Sequence, residues 1–498
     1  MTDSLSTSEI KRRSISGAKW LVVMNAVGMP SAFLIALMLG RVGPEALGAY
    51  ALAQVLIGVI TTFVVYGGPP VLSVFMPKLG SPTERGRFLF SYLVILLVTM
   101  TTVLALFWTF PAFLEFLLQH QFELPSFGWF IALSVVIVAT ETFANAASGL
   151  MLIKTRAIAR QMMRMILFPV VVFFFVFNRE FLAHNATICV LGGFLVGYIA
   201  AAIVSIVEII RDKRLSMRLG WFLPPGFWAF SLSTMLSTVF SFLHTNFDRM
   251  CVLGSSDLEG LGVYQAVISI STLVGVVPMV LGPALVPMFS SLLVLGDMNA
   301  VRRAYSLLQQ TGCGLITGAA LFIISFATEL LSLFGEEYAS YDYLLSIFCV
   351  TTVVTSSHFG NSPVLTAYEK NVFRFCISAS QNLIQILGTL IFMRPFGILA
   401  IVFFKVATSV YAQSASILYV TRRMNKGFVL PRSYWIAIMV SSACALLSNT
   451  LFPEGWVISS FVFAAFAFLF FIFSGIRISA IRALVKAALP WTRKTTGI

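Results

Sequence analysis

The sequence predicts an all-α polytopic membrane protein of about fourteen transmembrane helices, built as two parallel six-helix repeats followed by a C-terminal helix pair. Three observations carry that prediction. Of 498 residues 58% are hydrophobic and only 11% charged, against ~25% charged in soluble domains. Leu39-Gly40-Arg41-Val42-Gly43-Pro44-Glu45-Ala46-Leu47-Gly48-Ala49-Tyr50 returns without a gap as Leu253-Gly254-Ser255-Ser256-Asp257-Leu258-Glu259-Gly260-Leu261-Gly262-Val263-Tyr264. The same offset of 214 carries Gly68-Pro69 onto Gly282-Pro283 and Phe75 onto Phe289, nine identities across 37 positions. Finally, all but five of the 33 Lys and Arg residues fall in alternate loops and the two tails, which orients the chain with both termini cytoplasmic.

Each span follows from an apolar run long enough to cross the hydrocarbon core. Span one (17–40) follows a polar, basic arm (1–16); its run is too long for a signal-peptide core and lacks a small-residue cleavage site, so it reads as retained. Span two (46–70) follows the L-G-x6-L-G-x-Y turn and ends in Gly67-Gly68-Pro69-Pro70. Spans three (88–110) and four (127–149) flank the longest outer loop. Span five (165–178) is read as beginning after the basic residues Lys154, Arg156, Arg160 and Arg164, and span six (186–210) ends before Arg211, Lys213, Arg214 and Arg218.

Spans seven (226–252) and eight (260–292) repeat one and two, and eight holds Pro278, Gly282-Pro283 and Pro287 at the positions where two is broken. Such breaks survive in lipid where neighbouring helices or a wet cavity satisfy the freed backbone groups. Nine (305–334), ten (344–367), eleven (375–393) and twelve (398–420) complete the second repeat, and thirteen (433–450) and fourteen (457–474) are appended. The predicted domains are therefore 1–16, 17–220, 221–425, 426–475 and the basic tail 476–498. Seven tryptophans (Trp20, Trp108, Trp129, Trp221, Trp228, Trp435 and Trp456) lie near span ends, where the indole prefers the interface.

Several classes drop out. The net charge of +13 is an orientation signal, so no nucleic-acid partner is expected. The six cysteines (Cys189, Cys251, Cys313, Cys349, Cys376 and Cys444) form no close pair and read as buried inert thiols. No metal spacing involves them or His244 and His358, no G-x4-G-K-[ST] motif is present, and no nucleophile constellation is found, so neither a metal, a cofactor nor an enzyme is expected.

The repeated L-G-x6-L-G-x-Y turn, the run Phe247-Asp248-Arg249-Met250-Cys251-Val252-Leu253-Gly254 and the fourteen-span plan resemble bacterial polysaccharide transporters of the MATE-like multidrug/oligosaccharidyl-lipid/polysaccharide superfamily, over residues 14 to 475. The resemblance implies an inner-membrane flippase with a cationic cavity between two bundles. Its cargo would be an undecaprenyl-pyrophosphate-linked repeat unit for exopolysaccharide or O-antigen. The unit would pass from the cytoplasmic to the periplasmic leaflet by alternating access, driven by a proton or sodium gradient. Lipid-linked oligosaccharide and membrane lipid are then the partners, with polymerase and export proteins of the same pathway.

The candidate residues are ionisable or amide side chains at membrane depth, where a charge costs ~2.5–3.5 kcal/mol on insertion scales. Lys405, about 10 Å into span twelve, either holds a phosphate or snorkels to the surface. Arg41 and Arg249 close the outer ends of spans one and seven, and Arg249 either meets cargo or pairs locally with Asp248. Glu141, near Thr140, Thr142 and Asn145, is the coupling carboxylate or a group bonded within its bundle; Asp248 is the second acidic candidate for ion coupling. Asn25, Asn382 and Gln385 either bind sugar hydroxyls or join helices. The rival readings are a cation-coupled drug exporter of the same superfamily, a major-facilitator sugar transporter and a membrane glycan polymerase. The second has only a partial motif in its favour, at Gly80-Ser81-Pro82-Thr83-Glu84-Arg85-Gly86-Arg87.

Overall fold

Every regular element among the described residues of the computed structural model is helical. Those residues are 7–65, 70–109, 125–212, 215–216, 218–275, 285, 289, 298–356, 360–368 and 371–423. The elements are α1 (Thr7–Val42), α2 (Pro44–Val59), α3 (Pro70–Phe75), α4 (Pro82–Thr109), α5 (Pro125–Gly149), α6 (Ile153–Phe177), α7 (Arg179–His184), α8 (Ala186–Arg211), α9 (Phe227–Val274), α10 (Met298–Ser325), α11 (Ala327–Ser332), α12 (Asp342–Ser356), α13 (Asn361–Ala367), α14 (Asn371–Phe396) and α15 (Ile398–Arg423). Nine of the described helices are long and apolar enough to cross a membrane, which makes this an all-α multi-pass membrane protein. The expected spans thirteen and fourteen, the basic tail, the Gly-Pro breaks at 67–69 and 278–287, and His358 lie outside the described residues.

Where helix starts differ from expectation, local chemistry explains it. α4 begins at Pro82 rather than 88, because Ser81 and Glu84 form a capping box. The Ser81 hydroxyl accepts from the Glu84 N–H at 3.1 Å, and the Glu84 carboxylate accepts from the Ser81 N–H at 3.4 Å. The stretch that partly matched a major-facilitator pattern is thus a helix start. α6 begins at Ile153 rather than 165, since the basic stretch is rich in Arg, Ala, Gln and Met, all strong helix formers. That shift moves Arg156, Arg160 and Arg164 from a loop into a transmembrane helix.

The repeated turn is built twice with different chemistry. Between α1 and α2, Gly43 (φ 158°) leads into Pro44 at the first helical position. At the corresponding point of α9, Asp257 adopts φ 65°, ψ −163° and interrupts an otherwise continuous helix. Its Oδ1 accepts from the N–H groups of Glu259 at 3.0 Å and Gly260 at 3.3 Å, capping the second half of α9. Asp257→Ala loses the cap while the strained φ is unchanged from wild type, so about 1–2 kcal/mol of stability should disappear. Asp257→Gly should stay within ~1 kcal/mol of wild type. Thermal unfolding in detergent checks both, and an Asp257→Ala protein that melts with wild type would refute the capping account.

The two turns also touch. A Cβ on Gly48 would collide with the Leu258 carbonyl, and a Cβ on Gly262 would collide with the Pro44 carbonyl. Under the offset of 214, Gly48 becomes Gly262 and Pro44 becomes Leu258, so these are one close approach and its mirror. Glycine is required here because a backbone carbonyl occupies the space of a side chain.

The chain folds as two compact units, Met1–Gln265 and Ala266–Ile498. In the first, α6 packs between α1 and α8, while α5 lies against α8, α6 and α3. α2 ends in a π-helical turn, Ile60–Val64, and the Val64 carbonyl freed there accepts from Thr99 Oγ1 on α4 at 3.1 Å. A neighbouring helix thus satisfies the backbone at the end of this π-helical turn, as lipid burial demands. The segment after α8 is pinned to α4: Ser91 Oγ accepts from the Phe222 N–H at 2.8 Å and Arg87 Nη2 donates to the Trp221 carbonyl at 3.2 Å. In the second unit, α10, α13 and α15 share a core of Val301, Tyr305, Leu308, Val364, Leu365 and Val420 with Phe289, the repeat partner of Phe75. Trp108, Trp221 and Trp228 are exposed, as interface anchors should be. Cys189, Cys251 and Cys349 are buried free thiols, but Cys376, on the outward side of α14, is exposed, against expectation.

Candidate functional site

Three polar clusters sit among these helices. The first threads the interior of the first unit. Gln161 of α6 is 8% exposed and donates Nε2 to Asn25 Oδ1 at 2.9 Å, joining α6 to α1. Its Oε1 lies 3.5 Å from Arg164 Nη1, and Arg164 acts electrostatically on the fully buried Tyr50 and Tyr198. On α5, Asn145 Nδ2 donates to the Glu141 carboxylate at 3.2 Å and to the Glu141 carbonyl at 2.5 Å. Tyr92, Tyr198 and Arg156 all feel the Glu141 charge. Arg156 donates Nη1 to Ser148 Oγ at 2.9 Å. Thr140 ties α5 to α8 through the Tyr198 carbonyl at 2.8 Å.

The second cluster lies at the repeated turns. Tyr264, in the motif, donates its hydroxyl to Asp248 Oδ2 at 2.5 Å. Asp248 is 0% and Arg249 8% exposed. Arg249 Nη1 donates to Asn246 Oδ1 at 3.2 Å and interacts electrostatically with Asp248, Tyr264 and Tyr50. Both motif tyrosines therefore attend this one charge pair. Arg41 is exposed in the last turn of α1, with its carbonyl accepting from the Arg179 guanidinium.

The third cluster is in the second unit. Lys405 Nζ on α15 sits 5.6 Å from the ring centroid of Phe348, a cation–π position. Asn382 and Gln385 of α14 are each 1% exposed, and Asn382 Nδ2 donates to the Ser378 carbonyl at 2.7 Å. Gln413 of α15 donates to the Thr355 carbonyl of α12 at 2.9 Å, and Tyr305 donates to Asn361. The structure thus brings Asp248 and Arg249 into electrostatic reach of one another, places Asn25 and Glu141 in the polar interior of the first unit, and leaves Arg41 exposed at the end of α1.

Sequence reasoning missed Gln161, Arg156, Arg164 and Tyr264. The spacing of four between Arg156, Arg160 and Arg164 was a visible signal of one helix face, masked by starting span five at 165. The groups present are amides, hydroxyls, guanidiniums and single carboxylates, and no cluster of three or more metal-type ligands occurs among the described residues. Groups of this kind have the chemistry to hydrogen-bond charged and hydroxylated molecules.

Residues 14–293 match the family described as "Polysaccharide biosynthesis protein". The fold is shared with lipid II flippase MurJ in an inward closed conformation, with a TM-score of 0.67 and 14% identity over 91% of this chain and 98% of that one. An inward-facing multidrug resistance MATE family transporter of the MOP superfamily shares it with a TM-score of 0.63 and 13% identity, over 81% of this chain and 98% of that one. No curated protein matches the chain.

Proposed function

Because the chain belongs to the polysaccharide biosynthesis protein family, we propose that it moves an undecaprenyl-pyrophosphate-linked oligosaccharide unit across the inner membrane, from cytoplasmic to periplasmic leaflet. The observation that carries this reading is the family match over the whole first repeat, in a chain that has the fold of a lipid II flippase. Physical chemistry agrees. A diphosphate with attached sugars cannot cross hydrocarbon unaided, since burying its charge is prohibitive. The polar interior of the first unit supplies guanidiniums, amides and hydroxyls at membrane depth, and no bond needs to break. Both tails are cytoplasmic in this reading, following the distribution of basic residues.

Of the basic candidates, Arg41 is exposed and Lys405 half-buried in this structure. Arg249, Asn382 and Gln385 meet cargo only in a conformation that opens their surroundings. Glu141, among Asn145, Tyr92, Tyr198 and Arg156, is the coupling carboxylate, and Asp248, held by Tyr264, is its alternative. Lys405→Ala should lower export on the order of tenfold with normal insertion, the loss expected for one charge-assisted contact. Glu141→Gln should make transport indifferent to the proton or sodium gradient. Unchanged gradient dependence in proteoliposomes would remove Glu141 from that role.

The whole reading is tested by gene loss. Undecaprenyl-linked units should then accumulate on the cytoplasmic leaflet. Unpolymerised units outside would instead mark a polymerase. Intact polymer with lost drug tolerance would mark a cation-coupled exporter, the reading favoured by a carboxylate at mid-helix in a MATE-like fold.

A further inference from the structure

Arg156, Arg160 and Arg164 follow one another at intervals of four on α6, so they lie within an arc of about 80° and climb about 12 Å along the axis. Arg164 is near the middle of the helix, about 20 Å from its end at Phe177. The other faces of α6 are accounted for. Gln161 and its neighbour Ala157 lie toward α1. Ala159 packs on Ala201, and the Met163 backbone approaches Gly197, both on α8. Met165, Phe173 and Val176 are exposed apolar side chains on the lipid side. The arginines occupy the remaining arc, opposite the lipid face, between the α1 and α8 contacts.

Their surroundings form a gradient. Arg160 is exposed, whereas Arg156 and Arg164 are half-buried, beside Ser148 and Gln161 respectively. None of the three forms an ion pair with a carboxylate among the described residues, although Glu141 attracts Arg156 from a distance. Arg156 and Arg160 lie nearer the helix start, while Arg164, near mid-helix, carries an insertion cost that a single contact with an amide does not offset. A ligand rich in negative charge does. Guanidinium forks recognise phosphate oxygens two at a time, and adjacent rungs about 6 Å apart suit a group with two phosphates.

We infer that the Arg156–Arg160–Arg164 face of α6 is a binding track for a diphosphate ester, which docks at Arg156 and Arg160 and advances to Arg164, beside Tyr50 and Tyr198. This rests on the proposed flippase reading and on the orientation set by the basic residues, which makes the Arg156 end the cytoplasmic one. The chemistry fits a lipid-linked diphosphate and free pyrophosphate alike.

The experiment measures binding of undecaprenyl diphosphate, undecaprenyl monophosphate and inorganic pyrophosphate to the full-length protein in nanodiscs of neutral lipid. Wild type should bind the lipid diphosphate at least tenfold more tightly than the monophosphate. The triple variant R156Q/R160Q/R164Q should lose at least tenfold, and R156K/R160K/R164K should fall between, since lysine keeps charge without the fork. R160Q alters an exposed side chain and should weaken binding several-fold with unchanged melting, which separates binding from folding. Competition by free pyrophosphate supports the track and identifies the phosphates as the recognised part; its failure to compete supports a lipid source. Wild-type affinity in both R160Q and the triple glutamine variant would overturn the track while leaving the flippase proposal standing. A wild-type protein that binds neither diphosphate overturns both. Gene deletion without cytoplasmic-leaflet accumulation, with arginine-dependent pyrophosphate binding intact, would overturn the flippase reading alone.

Discussion

Valine at Gly48 or Gly262 should abolish folded protein in the membrane. Each new Cβ would stand where a backbone carbonyl already lies, Leu258 in one case and Pro44 in the other. A flexible side chain can swing aside; a helical carbonyl moves only if its helix moves. Overpacking that merely displaces side chains costs ~1–3 kcal/mol, and this displacement of backbone should exceed that range. Even alanine should lower the melting temperature substantially at either site. Gly318 of α10 is the control, because a Cβ there meets nothing within 4 Å. Gly318→Ala should be neutral or stabilising by up to ~1 kcal/mol through helix propensity. Detergent-solubilised yield and thermal unfolding report all of these variants. A Gly48→Val protein that melts with wild type would refute the close-approach account.

Asp248→Ala should be nearly as damaging, by a different route. It removes the acceptor of the Tyr264 hydroxyl and a negative charge that acts on Arg249, both deep in the protein. Breaking a buried charged network by deleting one partner costs ~3–5 kcal/mol, mostly because the other charge is stranded. Pairing Asp248→Asn with Arg249→Met removes both charges and should recover much of that loss. A coupling energy above ~1 kcal/mol in the double-mutant cycle is the expected result. Strict additivity would mean that Arg249 does not depend on Asp248.

The apolar spans and the duplicated turn were readable because they are local: apolar runs recur at bilayer length, and the turn repeats at a fixed offset. The start of α6 was misplaced because three arginines lower its apolarity while its helix formers continue unbroken. Hydropathy and helicity part company wherever a helix carries charge on an inward face. Within the candidate site, Asp248, Arg249, Asn25 and Glu141 were named from depth alone. Their partners could not be, since Tyr264 lies 16 residues from Asp248 and Gln161 lies 136 from Asn25. Such pairings are set by tertiary packing, which no local pattern encodes. Cys376 misled for the same reason: an apolar run does not reveal which of its residues face outward.

The paired glycines carry an evolutionary consequence. Each copy of the duplicated sequence owns one small residue and one acceptor carbonyl, and each offers both to its sibling. That is the logic of an isologous dimer, where a single self-complementary patch serves both partners. A half-length ancestor equipped with this patch would have associated with an identical molecule before gene fusion made the arrangement permanent. The Gly43 and Asp257 corners differ between the two copies, whereas the glycine is the same in both, since a side chain on either would strike the other half.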